Sequence, residues 1–281
     1  MKQLKTLLII ALTIFQQLAI ANPKVNIDGL YISDGVNHAI NDMVVEIKKM
    51  PINKNINILI KEGDGGIFKN KEWVNWAKKN NLKNKSLNWK KDIHGAKVVG
   101  SNDDEIYCVV YVPKYKTYTH KNGAMPMEWI VWHEMSHCLW PVRTIPEKWL
   151  SVPASAKEFS EMQDWEEESW ADGWALAMSK KYLNMSGVMV FEWMKTRTAD
   201  AIKSGTLDHW TNPVLYQIFG MKKNDYVWET VAFAVDEVVF DIEEYNLAKN
   251  ILFKKPVLMN EGKWFDQNVN NFSAIADVYP F

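Results

Sequence analysis

The sequence predicts an α+β fold: a small mixed sheet in the N-terminal part, a buried helix near the middle and a mainly helical C-terminal half. Three observations lead there. Segments that alternate like strands fall at 55–61, 96–100 and 105–112. An apolar run from Pro126 to Leu139 carries the flanks of a helix. Beyond Asp172, apolar residues recur at three- and four-residue spacings. At 281 residues the chain can build one sizeable core in two lobes, an α/β lobe over 22–125 and a mainly helical lobe over 126–281.

Met1 to Ala21 reads as a secretory signal peptide. Lys2 and Lys5 give a basic start, Leu7 to Phe15 an apolar core, and Ala19-Ile20-Ala21 a small-x-small cleavage site before Asn22. The apolar stretch, broken by Gln16 and Gln17, is short for a membrane span, and no cysteine follows the cleavage site to take a lipid. The expectation is export, to a periplasm or outside the cell, with no stable membrane insertion once the signal is removed. Losing the two lysines moves the formal charge from −1 to −3. A balance this close to neutral argues against nucleic acid or an anionic membrane as the main partner.

Asp34 to Met50 predicts a helix with Val36, Ile40, Met43, Val44 and Ile47 on one face, and Asn55 to Lys61 alternates like a strand. Asn70 to Leu82 reads as a short amphipathic helix carrying Trp73 and Trp76. Lysines cluster from Lys69 to Lys91, with Trp73, Trp76 and Trp89 among them. Basic-plus-aromatic composition can bind single-stranded nucleic acid or another polyanion. The asparagines around it make poor binding walls, so a solvated helix and loop is expected. Ala96–Gly100 and Glu105–Val112 read as strands joined by the turn-rich Ser101-Asn102-Asp103-Asp104.

The central apolar run contains His133-Glu134-Met135-Ser136-His137, an H-E-x-x-H set. Pro126 suits the first helical position, Glu128 the first turn, and Pro141 cannot continue the helix. Helical residues four apart lie one turn apart on one face. His133 and His137 can therefore aim two imidazoles at one point with the Glu134 carboxylate beside them. That is the geometry for two protein ligands on a zinc ion and a general base over its water. A third histidine six residues further on is excluded, because the chain has Trp140 and Arg143 where that longer pattern needs Gly and His. A later run, Asp164 to Asp172, offers a carboxylate instead. Of Glu166, Glu167 and Glu168, only Glu168 has another carboxylate four residues on, at Asp172. Glu168 can ligate the metal while Asp172 accepts the free ring N–H of a ligating histidine. Cys138 fails as a ligand, since one residue past His137 turns about 100° away. Cys108 and Cys138 either form a disulfide that staples the strand to the metal helix or remain two buried thiols.

H-E-x-x-H followed by E-S-W-A-D-G-W-A resembles the gluzincin zinc metallopeptidases, over about Pro126 to Ala177. The resemblance implies a zincin-like fold, a Zn²⁺ cofactor held by His133, His137 and Glu168, a water activated by Glu134, and a peptide or protein substrate. In such proteins a strand upstream of the metal helix is the sheet edge above the cleft, and an extended peptide pairs with it. Here that strand would be Ile106 to Val112; the alternative is an interior strand with no ligand.

Downstream, Trp170 to Leu183 continues the glutamate helix, Ser186 to Ile202 forms another, and Val227 to Asn250 is a long amphipathic segment. Between them, Asp208 to Tyr216 sets polar groups among aromatics. Zinc peptidases need a donor for the oxyanion on the scissile carbonyl, and His209 or Tyr216 can supply it; a helix cap and a core tyrosine are the plainer alternative. The tail from Lys254 to Phe281 has few periodic signals. His38, His94 and His120 have no partner at ligand spacing and read as surface or structural. Most of the fourteen tryptophans should line the core or a cleft. The expected function is an exported zinc-dependent metallopeptidase. Two other readings stay open: a zinc-stabilised binding protein on the same scaffold without turnover, and a zinc amidohydrolase acting on non-protein amides. Glu134 favours an enzyme, because a scaffold needs no base beside its metal.

Overall fold

The structure, a computed structural model, describes residues 23–63, 70–82, 95–114, 126–143, 156–222, 224–238 and 249. Residues 1–21, read above as a signal peptide, and Trp89, His94, His120 and the tail from Lys254 lie outside them. Among the described residues the chain forms four strands and seven α-helices, an α+β fold that is mostly helical.

Strands β1 (Val25–Leu30), β2 (Asn55–Gly63), β3 (Gly95–Ser101) and β4 (Glu105–Pro113) form one sheet in the order β1-β2-β4-β3. The first three pairings in chain direction are mixed: β1 and β4 run parallel to β2, and β3 runs antiparallel to β4. β2 and β4 are buried along almost their whole length. Near-continuous apolar runs such as Ile56 to Ile60 and Ile106 to Val112 suit strands covered on both faces. Ile56, Ile58, Ile60, Cys108, Val110 and Val112 point into the main core, while Leu59, Tyr107 and Val109 belong to a smaller cluster on the opposite face.

That smaller cluster corrects one expectation. Helix α2 (Asn70–Lys79) presses Trp73 and Trp76 onto the sheet, leaving them 2% and 5% exposed. Trp76 Nε1 donates to Asp28 Oδ2 at 2.9 Å, and Lys79 pairs with the same carboxylate at 2.8 Å. These two rings are core, not part of a solvated surface, because the outer sheet face is apolar and needs a cover.

The strand order decides between the two readings of Ile106 to Val112. β4, the strand the resemblance put above the cleft, lies between β2 and β3, and β3 is the edge on that side. The β3–β4 turn is closed by Asn102, whose Oδ1 accepts from the backbone N–H groups of Asp104 and Glu105 at 2.9 and 2.7 Å.

Helix α1 (Asp34–Ile47) joins β1 to β2 and buries Val36, Ala39, Ile40, Met43 and Ile47, spaced three and four apart. Helix α3 (Met127–His137) is buried at every position except Glu128, with Pro126 as its N-cap rather than its first residue. Cys108 and Cys138 are disulfide-bonded, with Cα atoms 5.6 Å apart, fixing the end of α3 to β4. Closing a loop of 30 residues is worth about 3–4 kcal/mol in the chain-entropy account. Helix α4 (Ala156–Tyr182) runs for 27 residues, starting ahead of the acidic run. Trp170 Nε1 on α4 donates to the Ser136 carbonyl on α3 at 3.2 Å, which holds the two helices together.

Helix α5 (Gly187–Ser204) starts at the Ser186 N-cap, whose Oγ accepts from Met189 N, and stops at Gly205 with φ 74°. Helices α6 (Asn212–Gly220) and α7 (Val227–Val238) close the back of α4. Gly173 permits their close approach, since a Cβ there would lie 3.0 Å from Val231 and 3.1 Å from Ile218. One main core runs from the sheet through all the helices except α2.

Candidate metal centre

Helix α3 is buried almost all round, and His133, Glu134 and His137 are its polar side chains that reach the cleft beside α4. His133 Nε2 and His137 Nε2 stand 3.3 Å apart. Glu168 on α4 places Oε2 3.5 Å from the first and Oε1 3.6 Å from the second. Donors at 2.0–2.1 Å from one tetrahedral cation lie roughly 3.3–3.4 Å from each other. The observed separations match that spacing closely enough for one small divalent cation to take all three ligands.

The far side of each imidazole meets a carboxylate. His133 Nδ1 lies 2.7 Å from Asp172 Oδ1, the contact expected from the spacing of Glu168 and Asp172. His137 Nδ1 lies 2.9 Å from Glu167 Oε1. A proton held on each Nδ1 leaves both Nε2 lone pairs for a cation. Arg197 from α5 completes the arrangement, donating to Asp172 at 2.5 and 2.7 Å and to Glu168 Oε2 at 2.9 Å. Thr211 Oγ1 donates to the same Asp172 carboxylate.

These contacts set the charges. Burial opposes ionisation of Asp172, but the Arg197 and His133 charges hold its carboxyl well below the usual range. Burial is likewise outweighed at Glu168, where His137 and Arg197 lower the carboxyl. At His137 burial alone would depress the imidazole, but the bond to Glu167 and the charges of Glu168 and Glu134 raise it to about 9.

A cleft of about 390 Å³ opens onto the centre, lined also by Gly95 and Ala96 of β3 and by Asp208 and His209. Glu134 lines it and is 3% exposed. His209 keeps Nδ1 3.6 Å from Asp208 Oδ1. Tyr216 is not among the described residues that line the cleft; it sits on α6, 46% exposed, so it is not a core tyrosine either. Family models, curated proteins and solved structures contain no match to this chain. Its chemistry is read from the geometry alone.

Glu167 and Arg197 are the residues that sequence reasoning missed. For Glu167 a signal existed: it neighbours the ligand on the same helix and can reach the second histidine while Asp172 serves the first. For Arg197 there was none, because it acts from another helix, 29 residues beyond Glu168.

Proposed function

We propose that the chain is an exported zinc-dependent metallopeptidase of the gluzincin kind, with a zincin-like fold. The observation that carries this reading is the convergence of His133 Nε2, His137 Nε2 and the Glu168 carboxylate at 3.3–3.6 Å. These residues would hold the metal. Two imidazoles and one carboxylate suit zinc better than calcium or magnesium, which take oxygen ligands. When bound in such a site, zinc supplies an acidified water and a polarised carbonyl.

Glu134, buried beside His133, takes the proton from the attacking water and hands it to the leaving amine. Asp172 and Glu167 keep the two imidazoles in the ligating tautomer. Arg197 anchors Asp172 and one oxygen of Glu168. His209 donates to the carbonyl oxygen as it gains charge, and its place on the cleft favours it over Tyr216. An extended peptide can pair with the β3 edge, where Gly95 and Ala96 reach the cleft, which favours a peptide over a non-protein amide. The Cys108–Cys138 bond fits an oxidising compartment. No helix among the described residues is long and apolar enough to cross a membrane.

Digestion of a peptide library with and without a chelator, for the wild type and Glu134→Gln, tests the reading. Wild-type cleavage should stop with chelator, and the variant should keep its zinc while losing roughly 10²–10⁴-fold in turnover. Unchanged hydrolysis by Glu134→Gln removes Glu134 as the base. Bound zinc with no hydrolysis by the wild type leaves the zinc-stabilised binding protein.

A further inference from the structure

The cleft carries more negative charge than a divalent cation neutralises. Among the described residues five carboxylates line it, from Glu134, Asp164, Glu167, Glu168 and Asp208, against one guanidinium, Arg197. Arg197 is itself buried and bonded to Glu168 and Asp172. Glu134, Glu167 and Glu168 have roles at the metal centre. Asp164 and Asp208 do not.

These two aspartates reach the cleft from separate elements. Asp164 is exposed on α4, one turn before Glu168 and so on the same face. Asp208 sits between α5 and α6, where it accepts from Thr206 Oγ1 and from the His209 backbone N–H, so its carboxylate is fixed in direction. Burial and then the charges of Glu167, Asp208, Glu168 and Glu161 push the Asp164 carboxyl up. Independent grounds mark this cleft as a place where a ligand sits. His133 and His137, only 8% and 9% exposed, aim their Nε2 atoms at one point beside Glu168.

We propose that Asp164 and Asp208 form a subsite for a cationic group of the substrate next to the scissile bond. The group is a Lys or Arg side chain or a free amino terminus. The inference deepens the peptidase reading and rests on it for the reaction, though not for binding. Asp172 shares Arg197 with Glu168, so the three positive charges of a divalent cation and Arg197 face six carboxylates and the balance stays negative. An ammonium or guanidinium placed between Asp164 and Asp208 relieves their repulsion and gains a charge-assisted hydrogen bond. A neutral side chain leaves the repulsion in place, and an acidic one adds to it. The same field draws cationic peptides in from a distance, more strongly at low salt.

Binding to the zinc-loaded full-length Glu134→Gln chain tests this without depending on turnover. The probes are N-acetylated pentapeptides that differ only at the central residue (Lys, norleucine or Glu), plus the norleucine peptide with a free amino terminus, titrated by calorimetry at low and high salt. The Lys peptide should bind about tenfold tighter than the norleucine peptide at low salt, and the Glu peptide weaker than both. Adding Asp164→Asn and Asp208→Asn should erase that preference with zinc content unchanged. If only the free amino terminus gains affinity, the subsite holds and its occupant is the terminus. Equal binding of all four probes overturns the proposal, as does a Lys preference that survives both substitutions. Wild-type hydrolysis separates the two readings. Cleavage of all probes at equal rates, with equal binding, keeps the peptidase and removes the subsite. Lys-selective binding without cleavage keeps the subsite and removes the peptidase.

Discussion

Glu46 on α1 and Glu168 on α4 are both carboxylates drawn out of water, and they are completed in different ways. Glu46 is sealed from solvent, and its Oε1 collects three donors: Lys49 Nζ at 2.7 Å, Tyr182 OH at 2.6 Å and Lys181 Nζ at 3.1 Å. Burial works against its ionisation, and those donors outweigh it, so the carboxyl sits below its usual range. Glu168 has Arg197 on one oxygen, but its other near neighbours are two imidazole nitrogens at 3.5 and 3.6 Å. With one proton each, on Nδ1, those nitrogens would be acceptors like the carboxylate they face; in the zinc-free chain His137, raised to about 9, holds a second proton among them. Acceptors that converge repel unless a proton or a metal cation joins them. The first cluster draws its cations from the protein's own side chains, whereas in the proposed function a metal would take the place of the proton in the second. Buried charge alone does not mark a site; the convergence of three ligand-type side chains on one point does.

The contrast can be broken in order of expected effect. Glu168→Ala should weaken zinc binding by about 10²–10³-fold, read by competition with a calibrated chelator. Full zinc loading of that variant against the chelator would place the third ligand elsewhere. Glu46→Ala should do the reverse, leaving zinc affinity unchanged and costing about 3 kcal/mol of stability in denaturant unfolding, because two ammonium groups lose a buried partner. A matching loss of zinc would show that the two clusters are one network. Asp172→Asn keeps the shape but not the charge behind His133, and zinc affinity should fall about 10–100-fold.

The smallest effect is a pH slope. The raised His137 value, about 9, means that a proton occupies this imidazole at neutral pH and must leave when zinc binds. Zinc affinity should therefore rise with pH, by up to about tenfold per unit, and level off above 9. In the zinc-free chain the sign for stability is opposite. The ion pairs of His137 with its carboxylates contribute fully below about 6.5, the unperturbed histidine value, and are lost as pH climbs through about 9. In the Glu46 cluster Glu46 lies low, and Lys49 and Tyr182 are raised, all away from that window. Calorimetry in buffers of different ionisation enthalpy, which counts protons released per zinc, checks the slope; zero protons at pH 7 would contradict it.

Much of this centre was legible because it is local. The four-residue spacings of His133 with His137 and of Glu168 with Asp172 specify helix faces without knowledge of the fold. β1 left a trace in Val25 and Ile27 alternating with Asn26 and Asp28, but the first element read from the sequence was α1. What stayed hidden depends on which elements become neighbours. The apolar run of β4 fits an interior strand as well as an edge, and only the pairing of β2 on one side and β3 on the other decides it. Trp73 and Trp76 are core because the outer face of the sheet needs cover, not because of the lysines around them. The Cys108–Cys138 bond follows from the closeness of β4 and the end of α3. Tyr216 lies in the right segment but is not among the described residues that line the cleft.

The most direct test is anomalous X-ray scattering at the zinc absorption edge from crystals of the zinc-loaded chain. One strong peak should appear about 2.0–2.2 Å from His133 Nε2, His137 Nε2 and a Glu168 oxygen. Zinc bound elsewhere, or no peak at this point with both imidazoles unliganded, would contradict the account.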